Sequence, residues 1–314
     1  MDHDMLHLCI YHAKMGTALA EYVAPRCPTG VRVSAVTDVT VDPPQLDTID
    51  ALVAFRFPEG LLTRLPRLRW LQLTTAGIDQ AARAERPPEL LVTHAGSIPV
   101  RAVTEFVVMG VLSLARNAPT LLRQHDARLW RQPGARLIEG ATLLLVGLGR
   151  IGSEIARTAR ALGMRVIAAT RSGQARVEVE RCVTGAELAA VMPEADYVAV
   201  CVPAADDTIG LVDQNALSQL KPGACMIDVS RPGVVDHDAL LAALRAGTCQ
   251  AAILDVHEHE PLPSSHPLWG EPGVWITPHC AFEQDREIER LGQLICENLD
   301  HLLAARPLEN LAKL

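Results

Sequence analysis

The sequence lacks the features that mark several classes of protein. It has no apolar run of about 18 residues, which a membrane-spanning helix would require. It has no block of basic residues, and its formal net charge is −8, so we expect neither a membrane nor a nucleic acid as partner. Its first twelve residues lack both a basic start and a long apolar stretch, and we therefore expect no signal peptide.

Paired cysteines and metal-ligand spacings are also missing. The chain has 8 cysteines, but none forms a C-x-x-C pair and several lie in apolar runs. This usage is typical of small core residues in a reducing compartment, so we expect a cytoplasmic protein without disulfides. His257, His259 and His266 match no zinc-ligand spacing, and we expect no metal.

What the chain does have is length, apolar content and a regular alternation. Its 314 residues are 49% hydrophobic, which is enough for two domains with full cores. Short apolar runs alternate with helical patterns along both halves, so we predict an α/β fold with two doubly wound parallel sheets. Among the connecting segments we predict a helix over Leu211–Leu220 and a hairpin-like connector over residues 131–140.

A glycine motif follows the strongest predicted strand. Thr142–Gly147 is a continuous apolar run, and Gly147, Gly149 and Gly152 then stand at G-x-G-x-x-G spacing before a helical pattern. The first glycine permits a tight turn, the second a close approach to a pyrophosphate, and the third close packing of helix and strand. Because the motif lies between a strand and a helix, it predicts a dinucleotide site. The alternative is a purely structural loop.

The end of the next strand indicates which dinucleotide. A carboxylate that would bind a ribose 2′-hydroxyl is missing there, and Thr170, Arg171 and Ser172 stand instead. A guanidinium between two hydroxyls suits a 2′-phosphate, so we predict that NADP(H) is preferred over NAD(H). The alternative is an exposed loop arginine.

Three polar residues follow the ends of later predicted strands. Arg231, Glu260 and His279 would all leave the sheet at the edge where a dinucleotide lies. We predict that Arg231 binds a carboxylate and polarises a carbonyl, that His279 donates a proton, and that Glu260 fixes the imidazole tautomer. Each also has a structural alternative, as a surface arginine, a polar loop or a structural histidine.

Two loops in the first half of the chain are candidates for binding substrate. Thr75, Ala76 and Gly77 follow a predicted strand and offer backbone N–H groups to an anion. Arg56 follows the preceding strand. The alternatives are a plain turn and a solvated arginine.

Five stretches together resemble the D-isomer-specific 2-hydroxyacid dehydrogenase family. They are GLGRIG, the segments 202–244 and 251–281, and more loosely the segments 68–79 and 102–116. The resemblance implies a Rossmann domain (98–283), with dimerisation helices near its start, inserted into a flavodoxin-like substrate domain (1–97 and 284–314), and a homodimer. It also implies catalytic roles for Arg231, Glu260 and His279 and a substrate loop at Thr75, Ala76 and Gly77. Further cofactor contacts fall on Arg150, Ile151, Val202, Pro203, Thr208 and Val229, and a nicotinamide amide contact on Asp255.

The chain departs from the family pattern at two points. Pro232 follows Arg231 where the family usually has glycine, and Phe282 and Glu283 follow the histidine where a small residue and threonine are common. We expect Phe282 to reshape the substrate pocket.

We therefore predict an enzyme that reduces a small 2-oxo acid to a D-2-hydroxy acid with NAD(P)H, and glyoxylate and hydroxypyruvate are the first candidate substrates. A phosphoglycerate-type dehydrogenase is a weaker rival, because the length leaves no room for a regulatory domain. The alternative from another class is a non-catalytic dinucleotide-sensing protein of the same fold.

Overall fold

The chain forms two α/β units, each built on its own parallel sheet. The computed structural model describes residues 5–314. Unit 1 comprises Met1–Pro99 and Glu283–Leu314, and unit 2 comprises Val100–Phe282. Both ends of the chain therefore contribute to unit 1, and unit 2 is inserted between them.

Within the described residues, the sheet of unit 1 has five parallel strands in the order β2-β1-β3-β4-β5. They are β1 (Leu6–Tyr11), β2 (Val31–Val36), β3 (Ala51–Ala54), β4 (Trp70–Leu73) and β5 (Leu91–Thr93). The helices of this unit are α1 (Gly16–Val23), α2 (Asp79–Arg83) and, from the end of the chain, α9 (Glu287–Leu303). This strand order is that of flavodoxin-like folds.

Unit 2, described throughout, has a seven-stranded parallel sheet in the order β12-β11-β10-β9-β6-β7-β8. Its strands are β6 (Thr142–Val146), β7 (Arg165–Thr170), β8 (Arg181–Thr184), β9 (Tyr197–Val200), β10 (Ala224–Asp228), β11 (Cys249–Leu254) and β12 (Val274–Ile276). Its helices are α3 (Val100–Ala115), α4 (Ala118–Asp126), α5 (Arg150–Ala161), α6 (Leu188–Val191), α7 (Gln214–Ser218) and α8 (His237–Ala246). The chain reverses its direction of winding between β6 and β9, which is the topology of a Rossmann fold and the point where such sheets bind ligands.

The apolar run of β6 is explained by two cores, one on each face of the sheet. Leu144 and Val146 pack into one cluster of buried side chains, and Leu143 and Leu145 pack into the other. Successive side chains of a strand point to opposite faces, so a strand covered on both faces needs an apolar residue at every position. The two parallel sheets confirm the predicted fold class.

The predicted helix over Leu211–Leu220 is too long. The observed helix, α7, spans Gln214–Ser218, and the Asp213 carboxylate caps it by accepting the Ala216 N–H at 2.8 Å. Val212 instead forms a parallel β-bridge with Val235. Val212 is therefore buried because it pairs with another segment. From the sequence alone, an apolar residue buried by such pairing cannot be told from one on the buried face of a helix.

The predicted hairpin-like connector over residues 131–140 is wrong, because these described residues form no strand. Arg136 anchors the segment instead. Its backbone N–H donates to Ala115 O at 2.8 Å, and its guanidinium donates to Gly223 O at 2.8 Å and to Gln250 Oε1 at 2.6 Å. Asn117 Nδ2 also donates to Gly134 O at 2.8 Å, so the segment is held by side chains rather than by strand pairing.

The longest helix that the structure describes, α9, has 17 residues. Across residues 5–314 no helix combines the length and the apolar character needed to span a bilayer.

Candidate active site

The glycine turn after β6 leaves no room for side chains at two of its three glycines. Gly147 has φ +107°, and a Cβ added there would lie 2.8 Å from Val202 Cγ1. A Cβ added at Gly152 would lie 2.1 Å from Gly147 O. The predicted roles in turn formation and helix–strand packing therefore have a direct steric basis.

Gly149 is different, because the space beside it is open. A Cβ added there meets no atom within 4 Å, and its φ is −74°. Gly149 is the N-cap of α5, and no side chain caps the helix there. Arg150 and Ile151, which were predicted as cofactor contacts, begin this helix. An open cradle of N–H groups at the positive end of a helix fits the pyrophosphate of a dinucleotide.

The segment after β9 packs directly on this turn. Cys201 Sγ lies 3.3 Å from Gly147 O, and the Thr208 hydroxyl donates to Pro203 O at 2.6 Å and accepts the Ala205 N–H at 2.8 Å. Val202, Pro203 and Thr208 were predicted as cofactor contacts. The structure places them on a loop, closed by the Thr208 hydroxyl, that leaves the strand next to β6.

Arg171 has a partner that the sequence did not predict. Its Nε and Nη2 donate to the two carboxylate oxygens of Asp207 at 2.5 and 2.7 Å, and the two side chains are 75% and 46% exposed. The pKa of Asp207 is lowered by this hydrogen-bonded pair. The flanking hydroxyls of Thr170 and Ser172 contact residue Gln174, at 3.4 Å each. The Arg171–Asp207 pair thus links the end of β7 to the loop after β9, on either side of the glycine turn.

Glu260 and His279, which are distant in the sequence, meet in the structure. Nδ1 of His279 lies 2.9 Å from Glu260 Oε1 and 3.0 Å from Oε2, and the two side chains are 20% and 16% exposed. A carboxylate only accepts, so Nδ1 carries the hydrogen and donates it. The other ring nitrogen, Nε2, is then the one that can exchange a proton with a bound molecule. Phe282 packs edge to face on the imidazole, with ring centroids 6.1 Å apart.

Asp255 fixes the loop that carries His279. It is 1% exposed and accepts three hydrogen bonds, from the Thr277 hydroxyl at 2.6 Å and from the N–H groups of Cys280 at 2.8 Å and Ala281 at 2.9 Å. These bonds flank His279, whose φ of +52° lies in the left-handed region. The predicted contact of Asp255 with a nicotinamide amide stays a prediction. The structure adds that Asp255 positions the loop that carries His279.

Arg231 leaves the same edge of the sheet as Glu260 and His279. Asp228, Leu254 and Ile276 end three neighbouring strands in register, and the loops that carry the three predicted catalytic residues follow them. The Asp228 carboxylate accepts the N–H and the hydroxyl of Ser230 at 2.9 and 2.5 Å. This turn orients the half-buried Arg231 and contains Val229, the remaining predicted cofactor contact.

In unit 1, the predicted substrate loops follow the neighbouring strands β3 and β4. Gln80 Nε2 donates to Phe55 O at 3.0 Å and to Thr75 Oγ1 at 3.1 Å, and the Thr75 hydroxyl donates to Gly77 O at 2.7 Å. Ala76 lies inside this closed turn, and Arg56 is exposed beside Phe55, with its Cζ 5.3 Å from that ring. The structure thus holds the two loops together through Gln80.

Sequence reasoning missed Asp207, Gln80 and the buried Asp228, His237 and His257. It assigned none of them these roles, although His257 was weighed as a metal ligand, because their contacts join residues that the sequence separates. A search of residues 5–314 finds no group of three or more His, Cys, Asp or Glu side chains arranged to hold a metal ion.

The chain matches a family model described as "D-isomer specific 2-hydroxyacid dehydrogenase, NAD binding domain" over residues 108–281. It is 34% identical over 255 residues to a protein of Chromohalobacter salexigens named (S)-sulfolactate dehydrogenase, covering 80% of this chain and 82% of that one. It is 31% identical to a glyoxylate reductase of Aeropyrum pernix, covering 81% and 79%.

A solved structure of a D-isomer specific 2-hydroxyacid dehydrogenase of Xanthobacter autotrophicus Py2, in complex with NADPH and MES, superposes with a TM-score of 0.85. The two chains are 28% identical, and 98% of each is covered.

The glycine turn and the strand order agree with these comparisons. The comparisons confirm the predicted reaction class and count against the non-catalytic alternative. The chain belongs to the D-isomer specific 2-hydroxyacid dehydrogenase family, whose members interconvert 2-oxo acids and D-2-hydroxy acids with a nicotinamide dinucleotide.

Proposed function

We propose that this dehydrogenase is an NADPH-preferring reductase of small 2-oxo acids, with glyoxylate and hydroxypyruvate as its first candidate substrates. The observation that carries the proposal is the Glu260–His279 pair, at 2.9 Å, on the sheet edge that also carries the glycine turn. The relatives named glyoxylate reductase support this substrate class, and the relative named sulfolactate dehydrogenase adds a second acid to test.

The roles of the side chains follow from their chemistry. Arg231 binds the substrate carboxylate through paired N–H donors and polarises the neighbouring carbonyl. His279 gives a proton from Nε2 to the carbonyl oxygen, and in the reverse direction it takes that proton back. Glu260 holds the hydrogen on Nδ1, so Nε2 always presents the exchangeable site. When bound, the nicotinamide supplies or accepts the hydride.

In unit 1, the turn of Thr75, Ala76 and Gly77 offers backbone N–H groups that suit an acid group, and Arg56 adds positive charge beside the turn. The closure of this turn by the Thr75 hydroxyl, which donates to Gly77 O at 2.7 Å, supports the assignment, because it holds the backbone in one shape before an anion binds.

The preference for NADPH rests on Arg171, which with Thr170 and Ser172 would hold the 2′-phosphate. Its partner Asp207 competes with that phosphate, but an ion pair between exposed side chains is weak, because water screens it. A phosphate offers the guanidinium a charge-assisted, two-point contact and replaces Asp207. The NADPH bound by the Xanthobacter relative is consistent with this choice.

We also propose a homodimer that forms through unit 2. Large apolar side chains are exposed on α4 and the segment after it, namely Leu121, Leu122, Leu129, Trp130 and Leu137, and Trp130 reaches 101% exposure. An exposed cluster of this kind marks a protein interface. Sedimentation of the protein, compared with a Leu122→Lys variant, tests it. A wild-type monomer would contradict the dimer.

The eight free cysteines support a reducing, cytoplasmic location.

The decisive experiment is a spectrophotometric screen of 2-oxo acids with NADPH and with NADH. It follows the loss of reduced nicotinamide with glyoxylate and hydroxypyruvate, and the appearance of reduced nicotinamide when sulfolactate is supplied with NADP⁺ or NAD⁺. We expect turnover of at least one 2-oxo acid, faster at low cofactor concentration with NADPH. Cofactor binding without turnover of any acid would contradict the proposal.

A further inference from the structure

Three titratable side chains are buried together at the strand ends of unit 2. Asp228 is 1% exposed, His257 2% and His237 8%. His237 Nε2 lies 4.0 Å from Asp228 Oδ2, and the rings of His237 and His257 meet edge to face with centroids 5.9 Å apart. Burying polar groups is unfavourable unless their hydrogen bonds are made. The mechanism above gives no role to these three residues.

The hydrogen-bonding groups of this cluster are complementary. His257 Nε2 donates to Thr277 O at 3.2 Å, which leaves Nδ1 as an acceptor in the neutral ring. Nδ1 and Asp228 Oδ2 are both buried, and neither has a hydrogen-bond partner within residues 5–314. Burial raises the pKa of Asp228 to about 7 and lowers the pKa of His237 to about 4. Near neutral pH the cluster therefore combines a carboxyl that can donate with imidazoles that accept.

The cluster is bonded to all three loops of the candidate active site. Asp228 Oδ1 accepts the N–H and hydroxyl of Ser230 and so fixes the turn before Arg231. The backbone N–H of His257 donates to Glu260 Oε1 at 3.3 Å. The His257 ring donates to Thr277 O, two residues before His279.

We propose that Asp228, His237 and His257 form a positioning cluster that holds the turn carrying Arg231 in register with the loops carrying Glu260 and His279. The proposal rests on the role proposed above for Arg231 in binding the substrate carboxylate. Asp228 is the central member, because one of its carboxylate oxygens fixes the arginine turn and the other faces His237, which packs on His257.

Several charged or titratable groups face Asp228. They are His237 at the start of α8, Asp255 at the end of β11 and His279 after β12, and Ser230 of its own turn donates to it. His257 in turn faces Asp255, Glu260 and His266. Loss of the Asp228 proton creates a buried anion near the Asp255 carboxylate. The same anion accepts the two Ser230 bonds more strongly, so we expect the geometry of the arginine turn, and with it the KM of the 2-oxo acid, to change as pH rises through neutrality.

The test compares Asp228→Ala with Asp228→Asn, using the best 2-oxo acid of the screen. Alanine removes the acceptor of both Ser230 bonds, so we expect the KM of the 2-oxo acid to rise about tenfold or more while cofactor affinity changes little. Asparagine keeps that acceptor and cannot ionise, so it should recover most of the loss. It should also abolish the change of the wild-type KM as pH increases through neutrality.

Asp213→Ala is the matched control, because it removes a capping carboxylate of α7 in the same unit and should lower the melting temperature without raising the KM. An alanine variant with the KM of the wild type, or an asparagine variant with the wild-type pH profile of KM, would overturn the proposal. If Asp228→Ala does not fold, the asparagine pH profile still decides. Arg231→Ala is measured in parallel, since an unchanged KM there would contradict the proposed function rather than the cluster.

Discussion

His279 has an unusual backbone for a residue that is not glycine. Its φ is +52°, a conformation that costs a non-glycine residue of the order of 1–3 kcal/mol. The three hydrogen bonds that Asp255 accepts from Thr277, Cys280 and Ala281 hold the residues on both sides of it. A buried carboxylate thus maintains the conformation that directs the imidazole towards Glu260.

The first prediction at the residue scale concerns the proton. His279→Ala should lower kcat at least about 100-fold, because it removes the general acid. Glu260→Gln should also lower kcat, since an amide no longer requires the hydrogen to stay on Nδ1. Steady-state kinetics with a 2-oxo acid measure both.

His259→Ala is the control for this prediction. His259 is exposed and stands next to Glu260 in the chain, so its loss should leave kcat near that of the wild type. A His279→Ala enzyme with wild-type turnover would show that another group supplies the proton.

The second residue-scale prediction concerns cofactor choice. Arg171→Ala should raise the KM of NADPH far more than the KM of NADH, because only NADPH carries the phosphate that the guanidinium binds. Asp207→Asn should have the opposite effect and lower the KM of NADPH, since it releases Arg171 from its bidentate pair. Equal changes for the two cofactors would exclude Arg171 from the phosphate site.

At the scale of elements, the turn between β6 and α5 combines two kinds of glycine. Gly152 is required by the protein itself, because its hydrogen faces Gly147 O. Gly149 faces open space at the start of α5. In this motif Gly152 therefore meets a requirement of packing, whereas the open space beside Gly149 is available to a ligand.

The matching prediction compares Gly152→Ala with Gly149→Ala. A methyl group 2.1 Å from a carbonyl oxygen forces the helix from the strand, so Gly152→Ala should destabilise unit 2. Gly149→Ala should keep the melting temperature and weaken cofactor binding about tenfold or more, because the methyl group occupies the pyrophosphate position. Thermal unfolding and fluorescence titration with NADPH measure the two effects. Equal cofactor affinity of Gly149→Ala and wild type would contradict the assignment.

At the scale of the whole molecule, each unit contains a buried histidine that resists protonation. Burial lowers the pKa of His12 in unit 1 to about 4, with a smaller contribution from Lys14, and burial also lowers the pKa of His237 in unit 2 to about 4. The unfolded chain has a histidine pKa near 6.5. It therefore binds more protons than the folded chain between these values, and the stabilisation present above pH 6.5 is lost as pH falls towards 4.

This gives a prediction for stability. The His12→Asn variant keeps an acceptor for the N–H groups of Lys14 and Met15, which His12 Nδ1 accepts at 3.2 and 3.1 Å, but cannot titrate. The difference in unfolding free energy between wild type and variant should shift in favour of the variant by up to about 3 kcal/mol on going from pH 7 to pH 4. Denaturant unfolding at several pH values measures it. A difference that does not depend on pH would contradict a neutral buried His12.

Much of this protein follows from local sequence. Thr142–Val146 predicts a strand covered on both faces, because four of its five side chains are apolar. The glycine spacing predicts the turn, because the steric requirement lies within six residues. Arg231, Glu260 and His279 were found for a similar reason, since each follows a strand of one parallel sheet, and such strands end at one edge.

Tertiary structure alone decided the rest. Asp207 meets Arg171 across 36 residues, and the burial of Asp228 with His237 and His257 depends on how β10, α8 and the loop after β11 pack. The left-handed backbone of His279 depends on a carboxylate 24 residues earlier in the chain. Local sequence fixes what a residue can do, through its bonds and its steric freedom. Whether a titratable side chain is paired, buried or exposed depends on chain segments that only folding brings together.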